Sequence, residues 1–186
     1  AGVAATGRML AMLQGLGRNY LVLGLISGGA SALVCAPVEG VSLAEKQAVN
    51  AGLLASGAPI EQMNLVRKHL SRVKGGQLAA AAWPAPVLAL MISDVPGDDP
   101  AVIGSGPTVG EASTPAEALA VLRRWHIDVP ESVTRALQRG AGAGVVPPGD
   151  ARLSYVRNKV IAAPAQSLAA AAEMATAMGC DVRNLG

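Results

Sequence analysis

The sequence predicts an α/β fold: a Rossmann-like parallel sheet with helices on both faces, an α/β/α sandwich in one domain. Three observations predict it. Strand-length apolar runs occur at Tyr20–Ile26, Val87–Ile92 and Asn158–Ala163. The middle one is almost continuously hydrophobic, as a strand buried on both faces is. After each strand comes a loop and then a helical pattern, the order that gives parallel strands joined by right-handed crossovers.

The elements follow in order. Residues 3–16 read as a helix with Met9, Leu10, Met12, Leu13 and Leu16 on one face. Tyr20–Ile26 is the first strand and runs into Ser27-Gly28-Gly29-Ala30-Ser31, which opens a helical turn. Residues 43–56 are helical after a Ser42 cap with Glu45 three residues on, and Gly57 ends that helix. Ile60–Leu70 and Gln77–Ala82 are further helices separated by Ser71–Gly76. Val87–Ile92 is the second strand, after which Pro96-Gly97 turns the chain. A Gly/Ser/Thr loop over 101–114 precedes a helix Pro115–Trp125, capped by Thr114 with proline at its first position. Glu131–Gln138 is a short helix. Arg139–Asp150 is a Gly/Pro-rich connector that contains the run Gly140–Gly144. Asn158–Ala163 is the third strand, and Pro164–Met178 a helix ended by Gly179.

Composition excludes several function classes. Of 186 residues, 51% are hydrophobic and 15% charged, which is a globular and not a disordered balance. There is no Phe, with two Trp and two Tyr, so the core is aliphatic and base stacking has no platform. The net charge of +2, with one short basic cluster at Arg67–Lys74, forms no nucleic-acid footprint. Cys35 and Cys180 stand apart without zinc or disulfide spacing, so a reducing, cytoplasmic setting is expected. No apolar run reaches the roughly 18 residues of a membrane span. The chain begins with Ala1, and residues 181–186 read as the start of a strand, so a piece of something longer is expected.

Four stretches carry chemistry. Asp94, Asp98 and Asp99 lie within six residues after the second strand. Ligands of open α/β sheets bind beyond the carboxyl ends of the strands. Carboxylates there suit a hard cation such as Mg2+, and a plain turn gains nothing from three mutually repelling acids. Ser27, Gly28, Gly29 and Ser31 form a loop whose amides and hydroxyls suit an anion; a tight turn without ligand is the alternative. In Asn64–Gly76, Arg67 and Lys74 are candidate anion-binding cations, with Gly75 and Gly76 at a helix start. A solvated helix end is the bland reading. Arg72 reads as surface, and His69 reads equally well as a packing residue. Ser105, Gly106 and Thr108 make another donor loop, equally readable as a turn, and Asn158 lines the same edge. The Walker A, Gly-x-Gly-x-x-Gly and Gly-x-Ser-x-Gly patterns are missing, which counts against P-loop, dehydrogenase and serine-hydrolase readings.

Together Leu25–Leu33, Asn64–Gly76, Ser93–Thr108 and, more loosely, Asn158–Leu168 resemble the class II glycerate kinase family. The resemblance spans residues 21–168. It implies transfer of phosphate from ATP to the 2-hydroxyl of D-glycerate, with Mg2+ as cofactor. With that reaction Asp94, Asp98 and Asp99 are candidates for holding the metal or orienting the glycerate hydroxyl, and Asp94 is the first choice for general base. Arg67 and Lys74 would hold the glycerate carboxylate or the developing phosphoryl charge. Members often carry the label hydroxypyruvate reductase, so a nicotinamide-dependent reductase is one alternative and a non-catalytic anion-binding module another. Ala30 stands where the family has glycine, a strained choice if that position needs a positive φ. The family's upstream Gly-Lys-Ala segment and its C-terminal MOFRL domain are absent from these residues. The segment is therefore expected to be part of the larger N-terminal domain and inactive alone.

Overall fold

The computed structural model describes residues 1–27, 29–139 and 144–183. Three parallel strands, β1 (Val22–Ile26), β2 (Val87–Ile92) and β3 (Val156–Ala162), form a sheet in the order β1-β2-β3. Val22 pairs with Val87, and Val87 with Val156. Among the described residues eight α-helices accompany them: α1 (Gly2–Leu13), α2 (Ala30–Leu33), α3 (Leu43–Ser56), α4 (Ile60–His69), α5 (Gln77–Ala82), α6 (Pro115–Arg124), α7 (Glu131–Gln138) and α8 (Pro164–Ala177). This is the expected α/β class.

Several boundaries differ from the sequence reading, each for a local reason. α1 stops at Leu13 because Gly15 takes a left-handed φ of 80°, and Met12 is exposed, not part of the buried face. β1 begins at Val22, where pairing with β2 begins. β3 begins two residues early, at Val156; Arg157 and Lys159 on its exposed face hide the apolar signal. Both reciprocal caps are present: Ser42 with Glu45 on α3, and Thr114 with Glu117 on α6. His126, which follows Trp125 at the end of α6, is exposed. Gly140–Ala143 of the connector lies outside the described residues. The following Val146 is buried and its amide donates to Gly75 O at 2.8 Å.

α3, α4, α6 and α7 share one aliphatic core around Val49, Leu53, Val66, Leu122 and Val133. α1 and α5 pack directly on the sheet through Leu13, Ala79, Ala82 and Val87. On the opposite face Leu23 and Leu25 remain 54% and 74% exposed, and α8 buries no residue. The carboxyl ends of β1 and β2 are joined by a small cluster of Ile26, Ala89, Met91 and Ile103, against which Ala30 and Val95 pack. That cluster draws the loops after both strands to one place.

Candidate active site

Three loops meet at this sheet edge. The first leaves β1 at Ser27. Gly29, with φ of 81°, starts α2, and Ala30 adopts ordinary helical geometry. The left-handed position is therefore Gly29, and alanine at 30 carries no φ strain. Ser27 is exposed, and its carbonyl accepts from the Ala30 amide at 3.2 Å. Gly28 lies outside the described residues.

The second loop follows β2. Asp94 and Asp99 are exposed and Asp98 is half-buried with φ of 54°. Asp99 uses Oδ1 to accept from the Ala101 amide at 2.8 Å. Among the described residues no three acidic, histidine or cysteine side chains gather into a cage for a metal. The loop continues into a 3-10 turn at Ile103–Ser105. Ser105 is buried with φ of 65°, and its hydroxyl meets that of Ser31 at 2.8 Å. Thr108 is buried and donates to Asn158 Oδ1 at 2.6 Å, which ties this loop to β3.

The third loop joins α4 to α5. Lys74 is 4% exposed, and its ammonium donates to Ser31 O at 2.8 Å, with Ser31 Oγ and Gly104 O at 3.4 Å. It thus bridges the other two loops. Burial, with the charges of Lys46, Arg67 and Lys68 acting the same way, pushes its pKa down to about 8. The amides of Gly75 and Gly76, expected to be anion donors, donate instead to Ser105 O and Gly106 O at 3.1 and 2.8 Å. Both glycines build the wall and leave no free amide to a ligand.

Arg67 is half-buried on α4, 3.4 Å from Asn64 Oδ1. Its neighbour Lys68 is paired with Glu111, so it is neutralised. His69 is buried and shares a hydrogen bond with Ser113 at 3.1 Å through Nε2, a packing role. Sequence reasoning missed Lys46. It is 3% exposed on α3 and its ammonium has no partner among the described residues. The signal was available: Lys46 falls in line with Val49 and Leu53, a lysine on an apolar stripe. A larger cleft of about 1140 Å3 runs past His69 and Arg139, but Arg67, Lys74 and Asp94 do not line it. The groups that meet where the loops join are those of Ser31, Lys74, Gly104 and Ser105.

The tight packing of the second loop makes a prediction. Gly106 has φ of 62°, and a Cβ there would sit 2.7 Å from Ala101 O. Gly106→Ala should cost about 2 kcal/mol or more, lowering Tm by roughly 4–8 °C. Gly97→Ala, with φ of 81° but open space, should cost only about 1 kcal/mol. Thermal unfolding of the two variants checks the difference.

Residues 1–138 match the family model described as domain of unknown function DUF4147. The chain belongs to the DUF4147 family. It is 50% identical over 135 residues to a Thermotoga maritima protein named D-glycerate 2-kinase, covering 73% of this chain and 32% of that one. It is 49% identical over 180 residues to an Agrobacterium vitis protein named "Putative hydroxypyruvate reductase", covering 95% and 39%. The crystal structure of a glycerate kinase from Thermotoga maritima superposes with a TM-score of 0.85 at 40% identity, over 98% of this chain and 42% of that one. This member of the family thus spans between 32% and 45% of the length of these first curated relatives. No helix among the described residues is long and apolar enough to cross a membrane.

Proposed function

We propose that this DUF4147 chain is the substrate-binding core of a cytoplasmic glycerate kinase, which transfers the γ-phosphoryl group of ATP to the 2-hydroxyl of D-glycerate. The observation that carries the reading is the junction at Lys74. Its ammonium holds the loop after β1 against the loop that follows the aspartates. In this reading the cations of α4 and the following loop serve the same site as the carboxylates that follow β2, which Lys74 supports by tying Ser31 to the turn at Gly104. Phosphoryl transfer needs that combination, because catalysis there is mostly positioning and charge neutralisation.

In this reading the glycerate hydroxyl oxygen attacks the γ-phosphorus as the bond to the β-phosphate oxygen breaks and ADP leaves. Asp94, exposed and unencumbered, takes the hydroxyl proton. Arg67 offers a planar fork to the glycerate carboxylate or to the transferring group. Ser27 and Ser31, both exposed, would face the phosphates, and buried Ser105 holds the Ser31 hydroxyl in place. Asp94, Asp98 and Asp99 do not gather into one metal cage among the described residues, so Mg2+ would be held mainly by phosphate oxygens and water, with a single one of these carboxylates as a hard donor. When bound, the ion neutralises charge on the phosphate oxygens.

A reductase would need a dinucleotide cradle after β1. The loop there reads Ser27-Gly28-Gly29-Ala30-Ser31 and lacks the glycine spacing such a cradle uses. Phosphorus NMR on the full-length protein with ATP, Mg2+ and D-glycerate should show 2-phosphoglycerate and ADP. Oxidation of NADH by hydroxypyruvate, with no new phosphomonoester, would replace this reading by the reductase.

A further inference from the structure

The buried positive charge around Lys74 is larger than the protein's own anions balance. Lys46, Arg67 and Lys68 each act on the charge of Lys74, and Arg67 acts on that of Lys46. Lys68 has Glu111 as its counter-ion, and Lys74 has carbonyl and hydroxyl acceptors. Arg67 has the Asn64 amide. Lys46 has nothing: it is 3% exposed and its ammonium lacks any hydrogen-bond acceptor among the described residues. One helical turn on, the Asn50 amide oxygen is also buried without a donor. Buried lysines are normally paired, since an unpaired ammonium in the interior costs several kcal/mol. Burial pushes the Lys46 ammonium toward its neutral form, Cys35 works against it, and the neighbouring Arg67 adds a smaller push in the same direction as burial. A chain that keeps lysine here, on the apolar stripe of α3, gains from the charge only when an anion arrives.

We propose that Lys46 and Arg67, with Asn50 beside them, form an oxyanion subsite that receives a carboxylate or phosphoryl group of the small-molecule substrate. Lys74 is the fixed wall of this subsite, and Lys46 supplies the charge still free to bind. The inference deepens the kinase reading by giving one end of the substrate a specific partner. The Asn50 side chain can then offer its NH2 group to the same anion, once its amide is turned.

The test uses the full-length protein with two probes, inorganic phosphate and D-glycerate, at matched ionic strength. Calorimetry on wild type should show binding of at least one probe. Lys46→Met should bind it about thirtyfold or more weakly, and Lys46→Arg should retain most of the affinity. Without anion, Lys46→Met should melt higher than wild type, because an uncompensated buried charge is gone. Binding of phosphate alone assigns the subsite to the phosphoryl group, and binding of glycerate alone assigns it to the carboxylate. Wild-type affinity in Lys46→Met, or no binding of either probe by wild type, overturns the proposal. If Lys46→Met does not fold, 15N spectra of the lysine ammonium groups decide. The Lys46 signal, assigned by its loss in Lys46→Arg, should shift on adding the probe, and a fixed signal rejects the subsite. Binding that depends on Lys46 in a protein that makes no phosphoglycerate would remove the kinase reading and leave the subsite standing.

Discussion

Asp94→Asn in the full-length protein should lower glycerate phosphorylation by about 10²–10⁴-fold, the usual contribution of a positioned general base. Its stability should move by less than about 0.5 kcal/mol, as for surface positions without special contacts. Both halves of the prediction come from the same facts. Asp94 lies two residues beyond the carboxyl end of β2, is exposed, and makes no side-chain hydrogen bond among the described residues. It therefore holds nothing in place, and asparagine, nearly isosteric, disturbs nothing. What asparagine cannot do is accept the proton of the attacking hydroxyl. Asp99→Asn makes the contrast. Asp99 already accepts from the Ala101 amide with one carboxylate oxygen, so it acts partly as a loop cap. Its replacement should raise the requirement for Mg2+ more than it lowers the maximal rate. Steady-state kinetics across Mg2+ concentrations separates the two. Unchanged turnover in Asp94→Asn would take that residue out of the chemistry.

The strands were legible in the sequence because β2 is apolar at every position, and the caps of α3 and α6 because their residues sit at fixed spacing. The convergence of the Ser27–Ser31, Lys74 and Ser105–Thr108 segments was legible as chemistry in separate stretches at the ends of strands and helices. What stayed hidden was which polar groups are already used. Gly75 and Gly76 look like open amide donors in sequence, yet their partners are carbonyls 30 residues away. Lys46 looks like any helix lysine until its burial is known. Partner assignment is a tertiary property, and local pattern carries no record of it. The feeble signal of β3 has the same origin. Its register places Arg157 and Lys159 beside Leu88 and Leu90 on the face that the described helices leave open.

Lys74→Met should reduce turnover roughly 10²-fold or more, as misplacement of reacting groups by about an ångström does, while altering stability at pH 7 by no more than about 3 kcal/mol. Two opposing effects set the second number. The variant leaves Ser31 O and Gly104 O without their ammonium donor, at about 1–3 kcal/mol for each acceptor left unsatisfied. It also removes a buried charge whose pKa falls from 10.5 to about 8, a penalty of about 3 kcal/mol in the folded state. The second effect vanishes at high pH, and this fixes the sign of a pH test. Between about pH 8 and 10.5 the folded protein has released the Lys74 proton while the unfolded chain still holds it. Unfolding then takes up a proton, so stability rises with pH across that window. Wild type should gain up to about 3 kcal/mol there relative to Lys74→Met, with the other lysines cancelling in the difference. Urea unfolding of both proteins at several pH values reads it directly. Parallel pH profiles would show that the Lys74 ammonium feels no desolvation, and the bridge between the two loops would then lose its physical basis.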